Sequence, residues 1–240
     1  MCLDAAGISK IGSREVNEDS IHITLSGPVS LFAAADGLGG HGGGDIASTI
    51  ALEQARMAFF TGDGDIPSRM ERCFNNAQEA IAKQTRHGMT TLAVLAVTQE
   101  FKARWAHVGD SRVYYFPAHR PRRYVRTLDH SVTQSLATRG MIKEKEIRFH
   151  EDRSMLIRAL GDKAHSPDFD LSEEISLRQG DALLLCTDGF WEWVPEKTMI
   201  KLFKRAKRAE EWLGKMEQEL LRSGANKDID NYSAIAVILR

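Results

Sequence analysis

Acidic residues stand at the edges of several short apolar runs in this 240-residue sequence. Asp36 and Asp188 come where such runs end, Asp230 precedes another run, and Glu18 and Asp19 form a further acidic pair. Any one of them has a structural explanation, since Asp-Gly and Asp-Asn are common turn dipeptides. Gathered at one place, however, these carboxylates would repel one another unless a cation neutralised them. Their placement therefore predicts a metal site.

The ligand types indicate which cation such a site would take. Oxygen-only ligands select hard cations such as Mg²⁺ or Mn²⁺, whereas zinc usually recruits histidine or cysteine. His41 and His130 are the only histidines in suggestive contexts, and a lone histidine is more often a hydrogen-bonded structural residue. We therefore predict neither of them as a metal ligand.

Hydrophobic periodicity predicts the elements that must position these residues. Four nearly continuous apolar runs are typical of strands buried on both faces, and they cover 31–35, 91–97, 182–186 and 234–239. Helical spacing places Ile46, Ile50 and Phe59 on one face of a first helix, and a second helix is predicted over 66–81. A third helix is predicted to end near Gly224, which could supply a left-handed residue there.

The order of these elements favours one fold class. Strands, a helix pair, more strands, a polar segment, further strands, a second helix pair and a final strand do not alternate as βαβ units do. We predict an α+β sandwich of largely antiparallel sheets with helices layered outside, in a single domain over 1–240.

Composition excludes several classes of protein. A formal net charge of −1 provides no overall field to favour nucleic acid or an anionic membrane. No apolar run approaches the roughly 18 residues that a spanning helix needs, and no secretory signal is recognisable. The three cysteines are widely spaced and odd in number, which favours a reducing compartment. We expect a cytoplasmic protein that binds neither nucleic acid nor membrane.

Seven short motifs occur in an order that is characteristic of one family. They are Arg14-Glu-Val-Asn17-Glu18-Asp19, Asp36-Gly-Leu-Gly-Gly-His41, Gly88-Met-Thr90, Val108-Gly-Asp110-Ser-Arg112, Asp129-His130-Ser131, Thr187-Asp188-Gly189 and Asp230-Asn231. In these motifs the chain resembles the metal-dependent protein phosphatases of type 2C, in their compact bacterial form. The resemblance extends over nearly the whole chain.

The resemblance implies a four-layer α-β-β-α sandwich of two mainly antiparallel sheets flanked by helix pairs. It also implies a centre of two Mn²⁺ or Mg²⁺ ions at one edge of the sandwich. It implies that Asp36 bridges both ions and that the carbonyl of Gly37 binds one of them. Asp188 and Asp230 would complete the other ion's shell. Glu18 and Asp19 would act directly or through bound water.

The same resemblance implies a serine/threonine phosphoprotein phosphatase. A hydroxide that bridges the metals would attack phosphorus directly, without a covalent phosphoenzyme. Arg14 would bind the phosphoryl oxygens, and its planar fork suits that role. Asp110 would help Asp188 to hold a weaker third ion.

Further expectations concern the surface and the partners. Residues 132–154 fall where the family carries a variable flap that influences substrate choice, and their polar composition fits a mobile insertion. The expected partners are phosphoprotein substrates, among them a cognate serine/threonine kinase and its targets, and we expect a monomer. One departure is Leu38, since many eukaryotic members have a histidine there that is proposed as the general acid. The acid is therefore unassigned.

Three other functions are alternatives to a metal-dependent phosphatase. Gly37, Gly39 and Gly42 satisfy the GxGxxG pattern of dinucleotide-binding folds, but Asp36 would then meet the pyrophosphate. A cysteine-dependent phosphatase is excluded, because no cysteine is followed by arginine six residues later. A catalytically weak or inactive phosphoprotein-binding module of the same fold remains as the alternative function.

Overall fold

The computed structural model describes residues 1–39, 42–61, 63–162 and 167–240. Its strands are β1 (Leu3–Lys10), β2 (Asp19–Thr24), β3 (Val29–Leu38), β4 (Met89–Thr90), β5 (Leu92–Thr98), β6 (Lys102–Val108), β7 (Arg112–Phe116), β8 (Val125–Arg126), β9 (Asp170–Leu171), β10 (Ile175–Ser176), β11 (Ala182–Cys186) and β12 (Tyr232–Leu239). Its α-helices are α1 (Gly44–Thr61), α2 (Ile66–Gln84), α3 (Val132–Thr138), α4 (Asp188–Trp191), α5 (Glu196–Phe203) and α6 (Ala209–Ser223). Two short 3-10 helices cover Pro121–Arg123 and Glu144–Phe149.

The strands form two sheets. The five-stranded sheet has the order β1-β12-β11-β7-β8. The seven-stranded sheet follows the path β10-β6-β5-β3-β2, with β4 paired to β3 and β9 paired to β6. Every pairing between these strands is antiparallel. The two-sheet α+β prediction is confirmed, and the dinucleotide-binding alternative is wrong because it needs parallel strands on either side of a helix.

Side chains of the central strands alternate between two hydrophobic layers. On β3, Leu31 and Ala33 pack under α1 and α2, whereas Phe32 and Ala34 face the layer between the sheets. The other sheet repeats this pattern, so that alternate residues of β11 and β12 face either the inter-sheet layer or the layer under α5 and α6. A side-chain period of two thus explains why the apolar runs are continuous.

Two details of the predicted helices are wrong. Ile46 is 51% exposed, because the buried face of α1 follows Ala47, Ala51 and Ala55, about 100° round the helix from it. Gly224 ends α6 with φ −89°, which is not left-handed. A side chain there would lie 2.5 Å from Cδ1 of Ile229, so close packing explains the glycine.

Residues 132–154 contain α3 and the second 3-10 helix, and they are attached to the rest of the fold. Ile147 is buried in the layer under α5 and α6. Arg148 makes an ion pair of 2.7 Å with Glu196, and Arg153 makes one of 2.6 Å with Glu192. Within the described ranges, no helix has both the length and the apolar character required to cross a bilayer.

Candidate metal centre

The seven-stranded sheet brings two of the predicted acidic residues together. Asp19 begins β2 and lies directly opposite Asp36 of β3 in the antiparallel register. The backbone around Asp36 is fixed by two threonines, since its N–H donates to Oγ1 of Thr91 at 2.9 Å and its carbonyl accepts from Oγ1 of Thr90 at 2.8 Å. Register and backbone hydrogen bonds therefore place both carboxylates at the same edge.

The five-stranded sheet supplies Asp188 and Asp230 at the same edge. Asp188 begins α4 directly after β11, and Asp230 precedes β12, which pairs with β11. Thr187 joins the two sheets here: its hydroxyl donates to Oδ2 of Asp19 at 2.8 Å and accepts from the N–H of Ser233 at 2.9 Å. One hydroxyl thus connects the end of β11, the start of β12 and the acidic residue of β2.

Asp110 lies between β6 and β7 and is only 4% exposed. Its backbone carbonyl accepts a hydrogen bond of 3.0 Å from Nε1 of Trp191, the last residue of α4. The neighbouring Ser111 hydroxyl lies 2.6 Å from that of Thr91. Asp110 is therefore held close to Asp36 and Asp188 by contacts on both sides.

The pKa values of these carboxyl groups show their mutual proximity. Burial and the charges of Asp188, Asp19 and Asp110 raise the pKa of Asp36 well above its usual value. Burial raises the pKa of Asp110 in the same direction, with Asp188 adding to the effect. Burial, followed by the charge of Asp230, raises the pKa of Asp188. Each group is thus close enough to disfavour the ionisation of its neighbours.

Asp19 provides a test of whether this arrangement fits a cation. Burial raises its pKa to about 7, although its hydrogen bond with Thr187 lowers it. Its second oxygen, Oδ1, is buried and lacks a hydrogen-bond partner among the described residues. A buried carboxylate oxygen without a donor, amid other carboxylates, fits a divalent cation with oxygen ligands.

Glu18 and the glycine-rich loop before α1 fit closely together. The carboxylate of Glu18 occupies space that a side chain at Gly39 or Gly44 would fill, since a Cβ at Gly39 would lie 1.7 Å from Oε1. A Cβ at Gly37 would lie 2.2 Å from the carbonyl oxygen of Gly44. Close backbone approach, rather than a nucleotide-binding turn, therefore explains these glycines. Gly40 and His41 lie outside the described residues.

Arg14 forms an ion pair with another predicted site residue. Its Nη2 lies 2.7 Å from Oδ2 of Asp230, and both side chains are substantially exposed. This hydrogen bond and the charge of Asp230 raise the pKa of Arg14. The predicted phosphate-binding arginine therefore lies at the solvent-facing side of the acidic cluster.

Asn231 positions the loop that carries Arg14, a role that sequence analysis did not predict. Its Oδ1 accepts from the N–H of Glu18 at 2.8 Å, while its Nδ2 donates to the carbonyls of Ile11 and Val16. It is 6% exposed. A hydrogen-bonding side chain beside Asp230 thus ties the loop between β1 and β2 to the start of β12.

Glu192 is a further acidic residue near the centre that sequence analysis missed. Burial, with the nearby charge of Asp188, raises its pKa to about 7, and Arg153 is its ion-pair partner. It lies four residues after Asp188, where the short helix α4 continues into a turn. A helix predicted to begin at Asp188 would have identified Glu192, because residues four apart lie on the same face of a helix.

A separate cluster surrounds His130. Its ligand-type atoms lie within 4.8 Å of those of His107 and Asp170. Nε2 of His107 donates to the carbonyl of Leu128 at 2.8 Å, and Nδ1 of His130 accepts from the N–H of Gly109 at 3.3 Å. These bonds put the proton of each neutral ring on Nε2. Nε2 of His130 lies 3.3 Å from Oδ2 of Asp170, but it is buried and has no hydrogen-bond partner among the described residues. Hydrogen bonds to the backbone thus fix both rings of this cluster.

Two central sheets, outer helices and an acidic edge define a four-layer sandwich with a candidate divalent-metal centre. The family model described as protein phosphatase 2C matches residues 6–231. The chain therefore belongs to the protein phosphatase 2C family.

Similar proteins include bacterial serine/threonine phosphatases. The chain is 30% identical over 205 residues to the serine/threonine protein phosphatase PstP of Mycobacterium tuberculosis, covering 82% of this chain but 38% of PstP. It is 30% identical over 187 residues to the serine/threonine phosphatase stp of Listeria monocytogenes, covering 72% of this chain and 71% of that protein. The chain thus spans well under half the length of the first relative and most of the second.

Solved structures agree with the fold. The crystal structure of Mycobacterium tuberculosis PstP superposes with a TM-score of 0.84 at 28% identity, and all of both chains is covered. A PstP catalytic domain in complex with two manganese ions superposes with a TM-score of 0.79 at 27% identity, covering 98% of this chain and 97% of that one. Membership of this family supports dependence on a divalent metal.

Proposed function

We propose that this chain is a metal-dependent serine/threonine phosphoprotein phosphatase. The observation that carries the proposal is the convergence of carboxylates from both sheets at one edge, with a buried oxygen of Asp19 that lacks a donor. Such a cluster is costly unless a divalent cation is present. The naming of similar proteins as serine/threonine phosphatases supports the same reaction.

Two Mn²⁺ or Mg²⁺ ions are proposed to bind at this edge. Asp36 and the Gly37 carbonyl, with Asp188 and Asp230, would hold them; Glu18 and Asp19 would contribute directly or through water. Asp110 with Asp188 would hold a weaker third ion. When bound, the ions would supply a water of lowered pKa as the nucleophile and would offset charge on the phosphoryl group.

Arg14 is proposed to bind the phosphoryl oxygens of the substrate. Its guanidinium is exposed beside Asp230, so it can reach a phosphate that approaches from solvent. A planar guanidinium can donate to two oxygens at once and remains charged at every relevant pH. In this role Arg14 would exchange its bond with Asp230 for bonds to phosphate, as charge builds up on the phosphoryl oxygens.

Residue 38 cannot donate the proton that the leaving oxygen of the substrate needs. Leu38 lies opposite Met89 in the β3–β4 register, and neither side chain can donate a proton. Leu38 therefore cannot replace the histidine of eukaryotic members, and the leaving group must take its proton from another group or from water. The physiological substrates are proposed to be phosphoproteins, with a cognate serine/threonine kinase among them.

The test is hydrolysis of a phosphothreonine peptide and, beside it, the matching phosphotyrosine peptide. Purified protein is assayed with Mn²⁺, with Mg²⁺ and with excess chelator. Asp36→Asn and Asp188→Asn are compared with Asp65→Asn, a matched control. Asp65 caps α2 through a bond to the N–H of Ser68, and asparagine can cap a helix equally well.

Metal-dependent hydrolysis of phosphothreonine that falls at least a hundredfold in both centre variants, and stays at the wild-type rate in Asp65→Asn, is the expected result. Circular dichroism establishes that each variant is folded. A folded wild type that binds metal or phosphopeptide without turnover would refute the catalytic proposal in favour of a phosphoprotein-binding module.

A further inference from the structure

A second concave site lies outside the candidate metal centre. It is a cavity of about 940 Å³ between α5, the two 3-10 helices and β8, and we call it the basic cavity. Nine of its thirteen lining residues are arginine or lysine, whereas the net charge of the whole chain is −1. The positive charge is therefore local, which indicates a function for this surface rather than a property of the composition.

Three of the nine cations have partners within the fold. Arg112 makes two hydrogen bonds with Asp129, at 2.8 and 2.6 Å, and Arg148 pairs with Glu196 at 2.7 Å. Arg126 pairs with Glu144 at 2.6 Å. Both acidic residues that line the cavity, Glu144 and Glu196, are therefore already used in ion pairs.

Six exposed cations remain around the opening. Within the described part of the chain, none of them has an ion pair with an acidic side chain, and they are Arg122, Lys145, Lys197, Lys201, Lys204 and Arg205. They come from three separate segments, so the positive surface is assembled by the fold. Long basic side chains on opposite sides of a cavity can converge on one anion.

The arrangement along α5 opposes the stability of the helix. Lys197 and Lys201 are four residues apart on α5, and like charges at this spacing repel one another on a helix. A cation near the C-terminus, such as Lys204, is favoured by the helix dipole, but Lys197 lies in the first turn, where a cation is unfavourable. Helix stability alone does not account for this row of charges.

The dimensions indicate an extended anionic occupant. From Lys197 to Lys204, the C-cap residue of α5, the row is about 10 Å long at about 1.5 Å per helical residue. An extended segment of about three residues, at about 3.3 Å each, has the same length. Tyr124 and Ile200 add an aromatic and an aliphatic surface to the cavity wall, against which the backbone of such a segment could pack.

The basic cavity is connected to the candidate metal centre. The guanidinium of Arg112 lies 3.5 Å above the ring of Trp191, and Nε1 of Trp191 donates to the carbonyl of Asp110. Arg148 also donates to the backbone carbonyl of Trp191. A bound segment would therefore lie on the other side of Trp191 from the acidic cluster. The same substrate chain could then place its phosphorylated residue at that cluster.

We propose that the basic cavity docks an acidic or phosphorylated segment of the protein substrate, separate from the phosphate ester that is hydrolysed. This inference rests on the proposed phosphatase function. Binding energy from a remote part of a substrate raises its kcat/KM without any change in the chemistry at the reacting group. The cavity would thus select phosphoproteins that carry an acidic or second phosphorylated segment.

The test compares phosphothreonine peptides that differ only in a remote tail of six glutamates, six glutamines or two phosphoserines in the form of phosphonate analogues, which the enzyme cannot hydrolyse. Lys201→Glu combined with Lys204→Glu reverses charge on α5, and Lys145→Glu does so on the opposite wall. Arg56→Glu with Lys83→Glu is the matched control, since it reverses two exposed cations of α1 and α2. p-Nitrophenyl phosphate measures turnover without a tail.

For the wild type at about 50 mM salt, kcat/KM is expected to be at least tenfold higher with a glutamate or phosphoserine tail than with glutamine, because charge contacts are strongest at low ionic strength. Both cavity variants reduce this preference to less than threefold, whereas the control pair retains it. Turnover of p-nitrophenyl phosphate stays within twofold in every variant. A higher kcat/KM with the phosphoserine tail than with the glutamate tail would show that the basic cavity prefers phosphorylated segments to acidic ones.

Fluorescence anisotropy of a labelled hexaglutamate peptide, measured on metal-stripped protein, separates this inference from the phosphatase proposal. Binding that is lost in the cavity variants supports docking even if no peptide is hydrolysed. Hydrolysis without a tail preference, or equal hexaglutamate binding by wild type and cavity variants, overturns it. Cavity-dependent binding of inorganic triphosphate without hexaglutamate binding would also overturn it, in favour of a small-anion site.

Discussion

Asp19→Asn is expected to stabilise the metal-stripped protein at pH 8. In the wild type, this carboxyl group is buried beside Asp188 and Asp230, and these surroundings raise its pKa from 3.8 to about 7. Ionisation at pH 8 therefore opposes folding when no cation is present. Asparagine has nearly the same shape, carries no charge and can still accept a hydrogen bond from Thr187.

The magnitude follows from the pKa. The increase of about 3 in the pKa of Asp19 lowers the free energy of unfolding by roughly 4 kcal/mol at pH 8, because a change of one in a pKa corresponds to about 1.36 kcal/mol. Asparagine would bury an amide donor without an acceptor, at a cost of about 2 kcal/mol. The net gain in the free energy of unfolding is therefore about 2 kcal/mol, or about 4–8 °C in Tm for a chain of this size.

The pH dependence has a definite sign. A carboxyl whose folded pKa is raised contributes stability that is fully present below its unfolded pKa and is lost as pH rises through the folded value. For Asp19 this window extends from about 4 to about 7. At pH 5 the advantage of Asp19→Asn should therefore shrink by roughly 3 kcal/mol, which leaves the variant no more stable than the wild type.

Urea unfolding followed by tryptophan fluorescence measures the free energy of unfolding of the wild type and of Asp19→Asn, with excess chelator at pH 5 and pH 8. Asp65→Asn, at an exposed helix cap, should leave the free energy of unfolding nearly unchanged at either pH. Added Mn²⁺ should stabilise the wild type more than Asp19→Asn, because a ligand stabilises the state that binds it. The reasoning is refuted if Asp19→Asn is less stable than the wild type at pH 8, or if their difference does not change with pH.

Three further results are expected. Arg112→Met should lower the free energy of unfolding by about 3–5 kcal/mol in urea, because buried Asp129 would lose two charged hydrogen bonds, of 2.8 and 2.6 Å, and keep only a 3.5 Å contact with Arg126; a loss below about 1 kcal/mol would contradict this. Gly37→Ala should weaken Mn²⁺ binding in calorimetry, since its Cβ would meet the carbonyl of Gly44, and wild-type affinity would show that the loop adjusts freely. Burial lowers the pKa of His107 to about 4, so the wild type should lose up to about 3 kcal/mol of stability between pH 6.5 and pH 4 that His107→Gln does not lose.

The central strands could be predicted from sequence because their environment is simple. Each faces one hydrophobic layer on either side, so continuous apolar runs were sufficient to identify β3, β5, β11 and β12. The short helix α4 was missed, since four residues carry no measurable period. Without it, the position of Glu192 beside Asp188 could not be inferred.

The candidate site was predictable in its membership but not in its contacts. Asp36, Asp188 and Asp230 were identified from motifs, and the structure brings them together from two sheets. The ion pair of Arg14 with Asp230 and the bridging hydroxyl of Thr187 depend on residues far apart in sequence. Local patterns carry no information about such contacts, which arise only when the sheets close.

The position of β12 between β1 and β11 has a consequence for biosynthesis. During translation, β1 must wait until β12 has been synthesised, because β12 is its neighbour in the sheet although the two strands are far apart in sequence. Contacts of such long sequence separation slow folding. The acidic centre shares this delay because Asp230 lies just before β12, so a nascent chain that has not yet reached β12 would lack the assembled centre.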